Sequence, residues 1–197
     1  MPLKDNILFL HIPRTGGTSI TKAMGIKKLR KSQEEYLYCP HKGYQHYTGL
    51  QIEGLGQEWD KSFSVVRDPV MRLQSEWFLG YDNWRSIALQ RNTTMHEIFW
   101  QICKRNKNTK GHYCHFASYS FMYKGIDDLR LLDFHNLQND WEAMVDEWSL
   151  PFDRQLERKS ISRSRGREKM PYSLKQDLAQ LYKEDYKLLR EKGMAWA

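Results

Sequence analysis

Four apolar residues in a row, Ile7-Leu8-Phe9-Leu10, run directly into His11-Ile12-Pro13-Arg14-Thr15-Gly16-Gly17-Thr18-Ser19-Ile20. An apolar run without polar alternation predicts a strand buried on both faces, the kind found in parallel sheets. Pro13 stops that strand. Gly16 and Gly17 allow a tight turn and a close approach of backbone to ligand. Thr18 or Ser19 is placed to cap a short helix over 20–24, which Gly25 ends. Strand, glycine turn and helix N-terminus together make an anion site, because free N–H groups, the helix dipole and two hydroxyls converge on one spot. The stretch lacks the leading glycine and the trailing lysine of the nucleotide-triphosphate loop G-x-x-x-x-G-K-[ST]. Its spacing therefore fits either a phosphate cradle or a plain connecting turn. The cation, Arg14, stands before the glycines instead of after them.

A second element lies at 62–77. Ser62 to Val66 is a β-branched and aromatic run that predicts a buried strand. Asp68 is a good N-cap and Pro69 fits the first helical position. Val70, Leu73 and Trp77 recur at helical spacing, so that face is expected to pack on the sheet. Arg67 then falls at the strand's carboxyl end and Ser75 two turns along the helix, where open α/β sheets bind ligands. The competing structural reading pairs Arg67 with Asp68 or Glu76.

His11 to Ile20 resembles the 5′-phosphosulfate loop of the sulfotransferases, whose membrane-type branch reads H-I-P-K-T-G-G-T-S. Phe63 to Trp77 resembles that family's 3′-phosphate element: a strand ending in Arg, then Asp-Pro, then a helix carrying Ser eight positions after the Arg. The resemblance implies 3′-phosphoadenosine 5′-phosphosulfate as sulfuryl donor, with no metal. It assigns Arg14, Thr15, Gly16, Gly17, Thr18 and Ser19 to the 5′ end of the donor, and Arg67 and Ser75 to its 3′-phosphate. Arg14 would also stabilise the leaving oxygen, although it stands where the family has lysine; arginine offers a wider fork that keeps its proton. His46, before the second strand, falls where the family's acceptor-activating histidine is expected, with His41 next in line. A late basic loop closes over the donor in this family. Here 154–169 carries seven basic residues, and Arg163 takes that role, with Ser160 and Arg165 as competitors. Relatives also carry a His or Gln near His115 that shapes the acceptor cleft. Core packing is the alternative for His115.

The remaining chain alternates further. Residues 79–93 read as a loop punctuated by Gly80, Asp82, Asn83 and Asn92. Thr94 and Glu97 make a capping-box pattern before an apolar face of Ile98, Phe99, Ile102 and Cys103. A helix is expected over 115–123, then a strand over 129–134. That strand ends in Asp133-Phe134 and imitates the magnesium-binding strand of phosphotransferases. Asn136 or Asn139 starts a helix with Trp141, Met144, Val145 and Trp148 inward. One last helix opens near Pro171 and Ser173 and closes at Gly193. This pattern predicts a single three-layer, P-loop-like α/β domain with a mainly parallel sheet over all 197 residues.

Composition limits the alternatives. With 40% hydrophobic and 13% aromatic residues the chain is expected to fold. A net charge of +7 suits an anionic donor and an anionic glycan, and is equally served by solubility. Cys39, Cys103 and Cys114 have no metal-ligand spacing and form no obvious disulfide framework; an odd count in so few residues points to a reducing compartment, with a single bridge as the alternative. No long apolar run or signal-like segment is evident, so no membrane span and a soluble, cytoplasmic chain are expected; the resemblance equally fits a catalytic domain trimmed of an anchor. The tyrosines interleaved with His41 and His46 in 36–47 suit sugar stacking, and the acceptor is expected to be a hydroxyl on a carbohydrate. The basic stretch lacks base-stacking aromatics, so nucleic acid is not expected as partner. A magnesium-dependent phosphotransferase using Asp133 and a non-catalytic nucleotide or glycan binder are the other readings.

Overall fold

The computed structural model describes every residue except 1–2, 27–45, 55, 57, 110, 158–166, 195 and 197, and gives backbone only at 111–113. The chain divides into two compact units: Met1–Arg67 with Met122–Ser160, and Asp68–Phe121 with Ile161–Ala197.

The first unit is built on a four-stranded sheet in the order β1-β2-β3-β4: Leu3–Lys4, Ile7–Leu10, Lys61–Val66 and Leu129–Asp133. β2, β3 and β4 are parallel, as expected, with Leu10 opposite Ser64 and Val66 opposite Asp133. All four residues of β2 are buried, which is why that run carries no polar residue. β1 was not apparent in the sequence. It pairs antiparallel with β2 through Asp5-Asn6, both at positive φ, as a two-residue hairpin requires. Because the three longer strands are parallel, His11, Arg67 and Phe134 leave the sheet at one edge. Ser64 Oγ reinforces that edge by donating to the Leu10 carbonyl (2.8 Å), and Tyr123 Oη donates to Ser64 Oγ (3.2 Å).

Helices α1 (Gly17–Ala23), α2 (Gly49–Glu53) and α7 (Leu137–Glu147) belong to the same unit. Its core joins Phe9 and Phe63, stacked at 4.9 Å, to Trp141, itself stacked on Phe152 at 6.0 Å. Trp141, Met144 and Val145 are the buried face of α7, as the spacing predicts. α2 was also missed, although Thr48 and Gln51 form a complete capping box at its start. The cap of α1 corrects the sequence expectation. Gly16, at φ +87°, is the N-cap and no side chain caps the helix, since Ser19 Oγ donates to the Glu157 carbonyl instead (2.6 Å).

The second unit is helical: α3 (Pro69–Leu79), α4 (Tyr81–Gln90), α5 (Met95–Asn106), a 3-10 turn (Gly111–Phe116), most of α6 (Tyr119–Met122), α8 (Tyr172–Leu181) and α9 (Lys183–Glu191). Asp68 and Thr94 cap α3 and α5 as expected, accepting from the amides of Met71 (2.7 Å) and Glu97 (3.1 Å). Val70, Leu73 and Trp77, expected to pack on the sheet, are buried in a helical cluster with Phe99, Phe116, Leu174 and Tyr182.

Three expectations fail here. The loop predicted at 79–93 is largely α4, because Tyr81, Trp84 and Ala88 form a helical stripe that packing rewards over the local turn residues. The helix predicted over 115–123 is split. Arg72 takes the carbonyls of His115 and Ala117, and Tyr182 Oη donates to that of Phe116, so these carbonyls serve tertiary partners. The single last helix is broken at Tyr182, whose carbonyl accepts from Asp185 N (2.9 Å), while Asp185 reaches the amides of Tyr119 and Ser120. Among the described residues, no helix is long and apolar enough to cross a membrane.

Candidate functional site

In the first unit, the glycine loop is shaped by one contact. A Cβ added to Gly17 would stand 1.8 Å from His11 Nε2, so the imidazole occupies the space a side chain would need. Only glycine fits there. The His11 ring is itself held on Phe9 (centroids 5.2 Å apart) and is nearly buried. His11 was part of the motif without being singled out. Its place as the first residue after the strand was the available signal.

Arg14 is half-buried and has φ +67°, a left-handed conformation that an arginine adopts at a cost of about 1–3 kcal/mol. Such strain clusters at ligand sites, where the surrounding fold enforces it. The hydroxyls divide. Thr15 is buried and donates to the Ile12 carbonyl (2.8 Å), which closes the turn. Ser19 anchors Glu157, and Thr18 is exposed. Lys22 pairs with the Glu157 side chain, so the start of the basic stretch docks on α1.

His46 contacts the start of the loop. Its Nδ1 lies 2.8 Å from the His11 carbonyl oxygen, and the two rings are 4.5 Å apart, tilted by 60°. The side chain is nearly buried.

Arg67 follows β3 directly, and its guanidinium carbon sits 4.5 Å from the Phe134 ring centroid. An aromatic ring just past the end of β4 supplies this contact. The same ring borders the glycine loop, since a Cβ on Gly16 would lie 3.6 Å from Phe134 Cε2. Asp133 caps the turn that carries Phe134: one carboxylate oxygen accepts from His135 N (2.9 Å), and its own amide donates to Asp140 (2.7 Å). The residue that suggested magnesium chemistry thus has a structural task. Among the described residues, no group of three or more His, Cys, Asp or Glu could hold a metal ion.

In the second unit, Ser75 is half-buried on α3. That helix is clamped at two points. Asp68 accepts from Tyr186 Oη (2.9 Å), and burial, then the Asp68 charge, pushes the Tyr186 phenol well above its usual range. Arg72, fully buried, donates to the carbonyls of His115 (3.0 Å) and Ala117 (2.6 Å) and lies over the Tyr119 ring at 5.1 Å. Burial lowers its pKa, but Tyr119, Tyr182, Asp185 and Glu76 more than offset this, so it stays charged. Asp185 is equally buried. Desolvation raises its pKa against the pull of the Ser120 and Tyr119 amides and Arg72. His115 points Nδ1 at the buried carboxylate of Glu76 (2.9 Å), so it is tied into this polar cluster. Arg163 and His41, with Ser160 and Arg165, lie outside the described residues.

The comparisons agree with the motifs. The sulfotransferase family model matches residues 2–190, nearly the whole chain. No curated protein and no solved structure matches it.

Proposed function

Since the chain belongs to the sulfotransferase family, we propose that it transfers a sulfuryl group from 3′-phosphoadenosine 5′-phosphosulfate to a hydroxyl, on a carbohydrate acceptor. The observation that carries this is the juxtaposition, at one edge of a parallel sheet, of the glycine loop and Arg67. Loop amides and cation would receive the 5′ end of the donor, and Arg67 the 3′-phosphate. Ser75 is the second proposed 3′-phosphate group, and Arg163 would close over it.

In the transfer, the acceptor oxygen forms a bond to sulfur as the bond from sulfur to the bridging oxygen breaks. Charge grows on that bridging oxygen, where Arg14 and the amides of Gly16 to Ser19 would stabilise it. Donors fixed before the reaction lower the barrier without reorganising, and the strained Arg14 backbone is consistent with such preorganisation. A carbonyl only accepts, so the short contact to the His11 oxygen places the proton on His46 Nδ1. Nε2 is then the basic nitrogen that takes the acceptor's proton. Adenosine 3′,5′-bisphosphate leaves.

Incubation with the donor, a chelator and a panel of hydroxyl acceptors, read by mass spectrometry, tests this function. Acidic and neutral oligosaccharides, a tyrosine peptide and a simple phenol make up the panel. Sulfation of an oligosaccharide, lost in Arg14→Ala, is expected. Product on the tyrosine peptide or phenol alone would overturn the carbohydrate assignment. Turnover only after magnesium and a triphosphate are supplied would overturn sulfuryl transfer.

A further inference from the structure

Phe134 does not contribute a polar atom, yet it touches both phosphate elements of the first unit. Its ring faces the Arg67 guanidinium at 4.5 Å and borders Gly16. We propose that Phe134 is a positioning residue that holds Arg67 in the orientation needed to bind the 3′-phosphate of the donor; this rests on the donor assignment above.

The physical case begins with the arginine. A long side chain at a strand end has many rotamers, and each must be given up when it grips an anion. A ring beneath the guanidinium removes that freedom in advance. Attraction to the ring face also fixes the plane of the guanidinium, the plane in which its N–H groups make hydrogen bonds.

The ring is itself fixed. It follows β4, and the turn Phe134–Asn136 is capped by Asp133 through His135 N. The Asp133 amide is held by Asp140 of α7, and Asn136 Nδ2 donates to the same carboxylate (2.7 Å). Leu137 Cδ2 stands 3.0 Å from a Cβ built on Gly16, so the start of α7 also bears on the loop. Phe134 therefore sits on a braced turn rather than a free loop. Phe134 is half-buried and packs against the core of the first unit, so core packing fixes the ring that the Arg67 guanidinium lies over.

Calorimetric titrations with adenosine 3′,5′-bisphosphate and with adenosine 5′-monophosphate separate the relevant effects, because only the first carries a 3′-phosphate. Phe134→Leu keeps bulk and removes the ring face. It is expected to weaken the bisphosphate roughly fivefold while changing the monophosphate less than twofold. Phe134→Tyr should bind the bisphosphate as the wild type does. In an Arg67→Ala background, Phe134→Leu should have no further effect. Should the leucine variant fold poorly, Phe134→Met gives the same comparison. Unchanged bisphosphate binding in Phe134→Leu, or an equal loss with and without Arg67, would overturn the role of Phe134 while leaving the donor assignment intact. Absence of bisphosphate binding by the wild type would overturn both.

Discussion

His46 Nδ1 lies 2.8 Å from the carbonyl oxygen of His11, and the His11 ring in turn fills the space beside Gly17. One histidine thus shapes the glycine loop and orients the proposed base. If His46 serves as base, His46→Ala should lower turnover by roughly 10²–10⁴ and leave donor affinity within twofold. Single-turnover kinetics beside donor titration would read this. An equal loss of affinity would mean that His46 holds the loop and does not move a proton.

The Gly17 contact makes a sharper prediction about packing. Gly17→Ala should destabilise the protein by about 1–3 kcal/mol and weaken donor binding, since either the imidazole or the loop must move. His11→Ala vacates that space. The double variant should therefore be more stable to urea than Gly17→Ala alone. Additive losses would contradict the clash.

Arg72 shows a different dependence. Removing the buried cation leaves the buried Glu76 and Asp185 without the charge that offsets theirs and strands two carbonyls, so Arg72→Ala should cost about 3–5 kcal/mol in denaturant unfolding. The damage should exceed that of Arg167→Ala. Arg167 pairs with the exposed Asp82 at 3.0 Å and also donates to the Phe78 carbonyl.

Four groups, three buried and the half-buried Tyr186, set the response to alkali. Desolvation pushes the Cys114 thiol up to about 12 and raises Cys103, Tyr182 and Tyr186 as well. Each folded pKa lies above its unfolded value. Their stabilising contribution is therefore complete below the unfolded thiol pKa of about 8.5 and is lost as pH rises beyond it, at about 1.4 kcal/mol per pH unit for each group in turn. Urea midpoints should fall steadily between pH 8 and 11, and less steeply in Cys114→Ala. A flat profile would contradict the burial of these groups. With Cys39→Ser, native protein at pH 8 should resist alkylation that proceeds freely once it is unfolded.

The three parallel strands, the glycine turn and the Asp68-Pro69 helix start were legible because each is written locally, in apolar runs, glycines and caps. What was not legible depends on partners distant in sequence. α4 hid behind Gly80, Asp82 and Asn83, whose turn preference gives way to burial of Trp84 and Ala88. The break at Tyr182 comes from Asp185 turning towards the amides of Tyr119 and Ser120, more than sixty residues away. At the site, the motifs marked Arg67 and Gly16. Only the parallel register of β3 and β4 reveals that Phe134 adjoins both.

The central claim is a site for a nucleotide phosphorylated at both its 3′ and 5′ positions. Its most direct test is calorimetric titration of the wild type and Arg67→Ala with adenosine 3′,5′-bisphosphate in the presence of a chelator. The wild type should bind in the micromolar range, and Arg67→Ala should bind at least tenfold more weakly, as loss of a charge-assisted contact implies. No binding by the wild type, together with binding of ATP once magnesium is restored, would contradict the account.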